Sequence, residues 1–166
     1  KEITELVSEV NGKYGTVSWM PIWFFFQSFT QESLIAFYRN SDVLLVTPLR
    51  DGMNLVVKEY IASRTDYDGM VVISETAGAA SELGEAVVVN ANDYDAIASG
   101  IKTALEMPHD DKAARNKVMH NRIKRYNVEF WAGDFLNSLN HTVTESMNTI
   151  LKRSFEKGAK ALENAY

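Results

Sequence analysis

Two rhythms of apolar residues alternate along this chain. One is a short unbroken run: Val43-Leu-Leu-Val46, Met70-Val-Val-Ile73 and Ala86-Val-Val-Val89. Runs without polar interruption suit strands covered on both faces, which is the habit of parallel sheets. The other is a three-and-four spacing that marks one face of a helix. It is present in Ile3, Leu6, Val7 and Val10, predicting a helix over Glu2–Val10, and in Leu34, Ile35 and Tyr38, predicting a helix from Gln31 to Arg39 with Thr30 as N-cap. Between these two helices, Asn11-Gly-Lys-Tyr-Gly15 supplies turn residues and the aromatic stretch Pro21–Phe26 reads as a strand. Further on, the pattern predicts a strand at Asp42–Thr47, a helix over Asn54–Arg64, a strand at Met70–Ser74, a short helix near Ala79–Leu83, a strand at Ala86–Asn90 and a helix over Asp93–Met107. Strands alternating with helices specify an α/β fold with a parallel sheet. From His109 onward no strand signal remains, and three helices are predicted, over 110–126, 127–140 and 143–164, with breaks at Tyr126-Asn127 and Asn140-His141-Thr142.

Composition narrows the classes without naming one. At 166 residues, 46% hydrophobic and 23% charged, the chain has the make-up of one globular domain. Seventeen Lys and Arg against twenty-two Asp and Glu give a net charge of −5, the wrong sign for a dedicated nucleic-acid binder. Lys112–Arg125 carries a cluster of basic side chains that could attract phosphate, although a solvated helix face is the commoner reading. Without cysteine there is no disulfide, thiolate metal site or cysteine nucleophile, which is compatible with a reducing, cytoplasmic setting. No apolar run approaches the ~18 residues that a membrane-spanning helix needs. The three histidines have no metal-ligand spacing, and the dinucleotide, P-loop and nucleophile-elbow motifs are all absent, so neither a metal nor a cofactor is expected.

The chemistry concentrates in Thr47-Pro-Leu-Arg-Asp51-Gly-Met-Asn54-Leu-Val-Val-Lys-Glu59. A strand ends at Thr47, a loop turns over Arg50–Met53 and a helix opens near Asn54. Ligands of parallel α/β sheets bind outside the carboxyl ends of the strands. The backbone N–H groups of Met53, Asn54, Leu55 and Val56, aided by the helix dipole, make an anion site fit for a phosphate or diphosphate. Gly52 would admit a ligand close to the backbone, and the carboxylates of Asp51 and Glu59 are acceptors for sugar hydroxyls. The same edge should carry the small-residue loop Glu75–Glu82, which follows the next strand. By local chemistry alone, an ordinary capped turn explains the loop equally well, and a solvated pair is the commoner reading of the two carboxylates.

Taken together, Phe37–Val43 through Glu59–Ala62 resembles the corresponding segment of the trehalose-6-phosphate synthase family of retaining glycosyltransferases, with support from Asn11–Gly15, Trp19–Ile22, Ala77–Ala80, Val89-Asn90 and Ala104–Met107. The resemblance runs from about Ile3 to Asn140, with Asp51-Gly-Met-Asn-Leu-Val56 as its most specific part. It implies a two-domain glycosyltransferase-B enzyme whose Rossmann-like C-terminal domain binds UDP-glucose and whose N-terminal domain binds the acceptor, glucose 6-phosphate. Residues 1–140 would be part of the donor domain and 141–166 a helical tail. Asp51, assigned to the catalytic centre, would bind glucose hydroxyls; Gly52, Met53 and Asn54 would contact glucose and phosphate; Leu55 and Val56 N–H groups would hold the diphosphate; Glu59 would bind the ribose. Leu34 and Phe29 would lie beside the uracil. The family uses the leaving diphosphate to assist the acceptor, so no protein nucleophile is required. The chain opens on Lys1, and the family's diphosphate-clamping Arg and Lys would lie upstream of it; a chain reading as a fragment is expected to be inactive alone. Thr76 stands where the family often has an aromatic residue. A sister transferase with another acceptor and a non-catalytic sugar-phosphate-binding or nucleotide-binding module remain as alternatives, and the sequence is compatible with a homo-oligomer.

Overall fold

The computed structural model describes residues 1–163, with side chains through Thr144 together with Met147. It divides into two compact units, Lys1–Phe37 and Tyr38 onward.

In the first unit, helix α1 (Glu2–Tyr14) runs on through the turn-forming residues expected to stop it. Asn11 is not used for turning. Its side chain clamps the main chain of Ile22, accepting from the N–H and donating to the carbonyl at 2.9 Å each. Gly15 ends the helix with its N–H on the Asn11 carbonyl, and a Cβ there would lie 2.4 Å from that carbonyl oxygen. The strand expected at Pro21–Phe26 does not form: the segment is irregular, and Trp23 and Phe26 are 69% and 96% exposed. Aromatic richness signals demand for burial, whereas a strand also needs a neighbour to complete its ladder. Among the described residues the sheet contains no such neighbour, and Ile22 takes its main-chain partners from Asn11 instead. Phe25, Phe29 and Phe37 pack their rings against one another at 5.2–6.2 Å between centroids.

Helix α2 (Gln31–Asn40) starts where expected, with the Ser33 N–H donating to Thr30 Oγ1. Of its three core-facing candidates only Tyr38 is buried; Ile35 is exposed.

The second unit is a parallel sheet of three strands in the order β1 (Val43–Val46), β2 (Met70–Ser74), β3 (Val87–Val89). Val43 pairs with Met70 and Val72 with Val87, so all three strands point the same way. Every residue of β2 is buried, as its unalternating sequence requires. The connections are helix α3 (Leu55–Ser63) between β1 and β2 and the short α4 (Gly78–Glu82) between β2 and β3. Helix α5 (Tyr94–Glu106) then packs on the sheet, approaching so closely that a Cβ on Gly100 would lie 2.7 Å from the Val89 side chain. Helix α3 buries Val57, Tyr60 and Ile61, the i, i+3, i+4 face, with Arg64 buried at its C-cap, and packs against β1 and helix α6 (His109–Arg125).

Helix α7 (Val128–Glu163) corrects the expected break at Asn140–Thr142. Thr142 and Thr144 turn their hydroxyls back onto the carbonyls of Ser138 and Asn140, satisfying them inside the helix rather than interrupting it. Residue 164, the last of the expected helix, lies outside the described residues. No helix among them is long and apolar enough to cross a membrane.

Candidate functional site

The parallel sheet sends the loops after β1, β2 and β3 to one edge. Two of them are stitched together. Asp51 and Ala77 form an isolated parallel bridge, with the Asp51 N–H on the Thr76 carbonyl at 3.3 Å and the Gly78 N–H on the Asp51 carbonyl at 2.9 Å. The Ala79 N–H adds a bond to the Met53 carbonyl at 2.7 Å. Thr76 sends its hydroxyl to the Pro48 carbonyl at 2.7 Å. Gly78 is what permits this contact, since a Cβ there would sit 2.2 Å from the Gly52 carbonyl oxygen. The expected sharing of one edge by Asp51 and the Ala77–Ala80 loop is therefore present in backbone hydrogen bonds.

Within the first loop, Asp51 organises the entry to α3. Its Oδ1 accepts from the Met53 N–H at 3.0 Å and its Oδ2 from Asn54 Nδ2 at 3.0 Å. Asn54 takes a left-handed conformation, φ 72°, and its Oδ1 accepts from the Val57 N–H at 3.1 Å, capping the helix. These donors, the Met53 N–H first and the Asn54 amide second, hold the Asp51 carboxyl below its ordinary pKa. Four free N–H groups were expected at Met53–Val56, and the geometry reduces them: Met53 is taken by Asp51, and the Asn54 N–H also faces that carboxylate. Leu55 and Val56, 61% and 42% exposed, keep N–H groups without a partner among the described residues. The N-terminus of α3 is thus open to solvent. Gly52 has ordinary backbone angles and nothing within 4 Å of a would-be Cβ, so the fold itself does not require glycine there.

Glu59 stands one turn further along α3, exposed, with Oε2 accepting from the Tyr38 hydroxyl at 3.1 Å. Burial, then the bond to Glu59 and its charge, raise the Tyr38 phenol. Sequence reasoning treated Tyr38 as core and missed this contact; no periodicity connects residues 21 apart. Phe29 and Leu34 belong to the first unit, Phe29 in its ring cluster and Leu34 half-buried.

A cavity of about 490 Å³ opens beside the same helix, between Met53, Leu55, Lys58 and Glu82 on one side and Tyr126, Phe130 and Trp131 on the other. Asp51 and Glu59 do not line it. Lys58 and Glu82 close on each other at 2.7 Å at its rim. Of the basic cluster in α6, Arg115 donates to the Glu85 carbonyl and Arg122 to that of Glu82, so these two anchor the α4–β3 connection. No group of three or more His, Asp or Glu among the described residues is placed to hold a metal ion.

The sequence profile of glycosyltransferase family 20 matches residues 1–141. The chain belongs to glycosyltransferase family 20. A bifunctional trehalose-6-phosphate synthase/phosphatase of Thermoproteus tenax is 42% identical to this family 20 chain over 139 residues, 84% of it and 19% of the relative. Among solved structures, one described as trehalose-6-phosphate from E. coli bound with UDP-2-fluoro glucose matches at a TM-score of 0.79 and 39% identity, over 83% of this chain and 31% of that one. Another, an alpha,alpha-trehalose-phosphate synthase (UDP-forming) from Burkholderia xenovorans in complex with glucose-6-phosphate, matches at a TM-score of 0.79 and 37% identity, over 84% and 31%. The chain therefore spans between 19% and 31% of the length of these relatives.

Proposed function

We propose that this chain is the donor-binding part of a retaining glycosyltransferase that moves glucose from UDP-glucose to glucose 6-phosphate, giving trehalose 6-phosphate. The observation that carries the reading is the open N-terminus of α3, where the Leu55 and Val56 N–H groups have no partner among the described residues. A helix N-terminus of this kind receives a diphosphate without any lysine or metal in the loop. Membership of family 20 and relatives described with UDP-2-fluoro glucose and glucose-6-phosphate support the same substrates.

In this reading residues 1–140 belong to a donor domain in a two-domain architecture, 141–166 form a tail, and the acceptor site lies in sequence that this chain does not contain. Asp51, kept ionised by its loop, accepts hydrogen bonds from glucose hydroxyls. Gly52, Met53 and Asn54 bring main chain against glucose and phosphate, Leu55 and Val56 hold the diphosphate, and Glu59 takes the ribose. Because the leaving diphosphate can itself accept the proton of the attacking hydroxyl, the protein's share is placement and stabilisation of developing negative charge. A cytoplasmic location fits a cysteine-free chain working on a nucleotide sugar.

Calorimetry with UDP tests the assignment. Glu59→Ala removes charge-assisted bonds worth on the order of 1.5 to 3 kcal/mol, so affinity falls by roughly tenfold or more. Equal binding by wild type and Glu59→Ala contradicts the ribose role.

A further inference from the structure

Glu59 lies on the solvent side of α3, and one contact fixes its carboxylate. Among the described residues the only partner of that carboxylate is the Tyr38 hydroxyl, 3.1 Å from Oε2. Tyr38 is itself held. It is 9% exposed, and its ring meets that of Tyr60 edge-on at 6.1 Å and 89°. Tyr60 is fully buried and donates its hydroxyl to the Ser41 carbonyl at 2.9 Å; burial pushes its phenol up to about 12, so it stays a donor. Arg64, 4% exposed, reaches the same turn, with Nη1 on the carbonyls of Arg39 at 2.9 Å and Ser41 at 2.8 Å. The buried side chains of Tyr60 in α3 and of Arg64 at its C-cap thus pin the backbone that follows Tyr38, and Tyr38 returns a hydroxyl to the exposed face of the same helix.

We propose that Tyr38 is a positioning residue, whose hydroxyl holds the Glu59 carboxylate in one orientation so that its remaining lone pairs meet the two vicinal hydroxyls of a ribose. This inference rests on the donor-site reading. An unrestrained exposed glutamate has several rotamers to lose when a ligand arrives. With Oε2 already occupied on one side, Glu59 presents Oε1 and the outer lone pair of Oε2 at a fixed angle. Two adjacent hydroxyl donors match that arrangement, and a ligand without them gains nothing from it. Removing the Tyr38 hydroxyl leaves the ring packing and both pinned carbonyls in place, and the freed carboxylate oxygen is reached by water.

Calorimetric titrations with UDP and 2′,3′-dideoxy-UDP, on the wild-type chain, Tyr38→Phe, Glu59→Ala and the double variant, test the proposal. Tyr38→Phe is expected to weaken UDP by roughly threefold to tenfold, the reach of one hydrogen bond, and to leave dideoxy-UDP and the melting temperature unchanged. Added to Glu59→Ala, it should have no further effect. If Tyr38→Phe weakens UDP and dideoxy-UDP equally, or leaves UDP untouched while Glu59→Ala weakens it, the positioning role is overturned and the donor site stands. If UDP does not bind the wild-type chain, or binds Glu59→Ala undiminished, the donor-site reading falls and this inference with it.

Discussion

Asp51 shows how one residue can serve the fold and, in the proposed donor site, a ligand as well. Its two oxygens face the Met53 N–H and the Asn54 amide, an arrangement that only the ionised form satisfies on both sides. The carboxyl is held below its ordinary value of 3.8, so its stabilising contribution is complete above that pH and is lost as the pH falls through the lowered value. Asp51→Asn turns one oxygen into a donor that confronts Asn54 Nδ2. The wild type should therefore melt higher than Asp51→Asn at neutral pH, and the gap should close on acidification below 3.8. A gap that stays constant down to strong acid contradicts this account of the loop. Asn54 as cap and Asp51 at the strand's end were both legible in the sequence, because short polar side chains before an apolar helix have few other uses. That Asp51 would take the Met53 N–H for itself was not legible, since it depends on the left-handed turn at Asn54.

At the scale of elements, the strands were readable and the aromatic segment was not. Val43–Val46, Met70–Ile73 and Val87–Val89 are apolar on every position, and a parallel sheet buried on both faces is the arrangement that such runs favour. Trp23–Phe26 is as apolar, yet its neighbours leave it without a pairing strand, and composition carries no record of that. Asn11 and Gly12 look like a turn, but α1 continues because the Asn11 amide finds the Ile22 main chain. The pairing of the β1 and β2 loops depends on the glycine that closes it. Gly78→Ala drives a methyl into the Gly52 carbonyl and should cost about 1–3 kcal/mol, some 2–12 °C in melting temperature. Gly52→Ala meets open space and should leave the melting temperature within about a degree while weakening UDP-glucose, because in the proposed donor site that small residue faces the ligand. Equal melting losses in both variants would mean that Gly52, too, belongs to the fold and not to the site.

For the whole molecule, the family profile ends at residue 141 while α7 continues to Glu163, so the last turns of this helix lie beyond what the family describes. Glycosyl transfer needs donor and acceptor held together in near-attack geometry. A chain spanning 31% of the Burkholderia xenovorans synthase length should bind the nucleotide without turnover of UDP-glucose and glucose 6-phosphate, and product formed by this chain alone would show that it also holds the acceptor. The central claim is that the carboxyl edge of the sheet, at the start of α3, receives the donor diphosphate. Amide-resolved NMR titration with UDP measures this directly. The account predicts that the Leu55 and Val56 N–H resonances move first and furthest, with Glu59 following and α5 unmoved; saturable shifts confined to residues away from the α3 N-terminus, with Leu55 and Val56 unchanged, would contradict it.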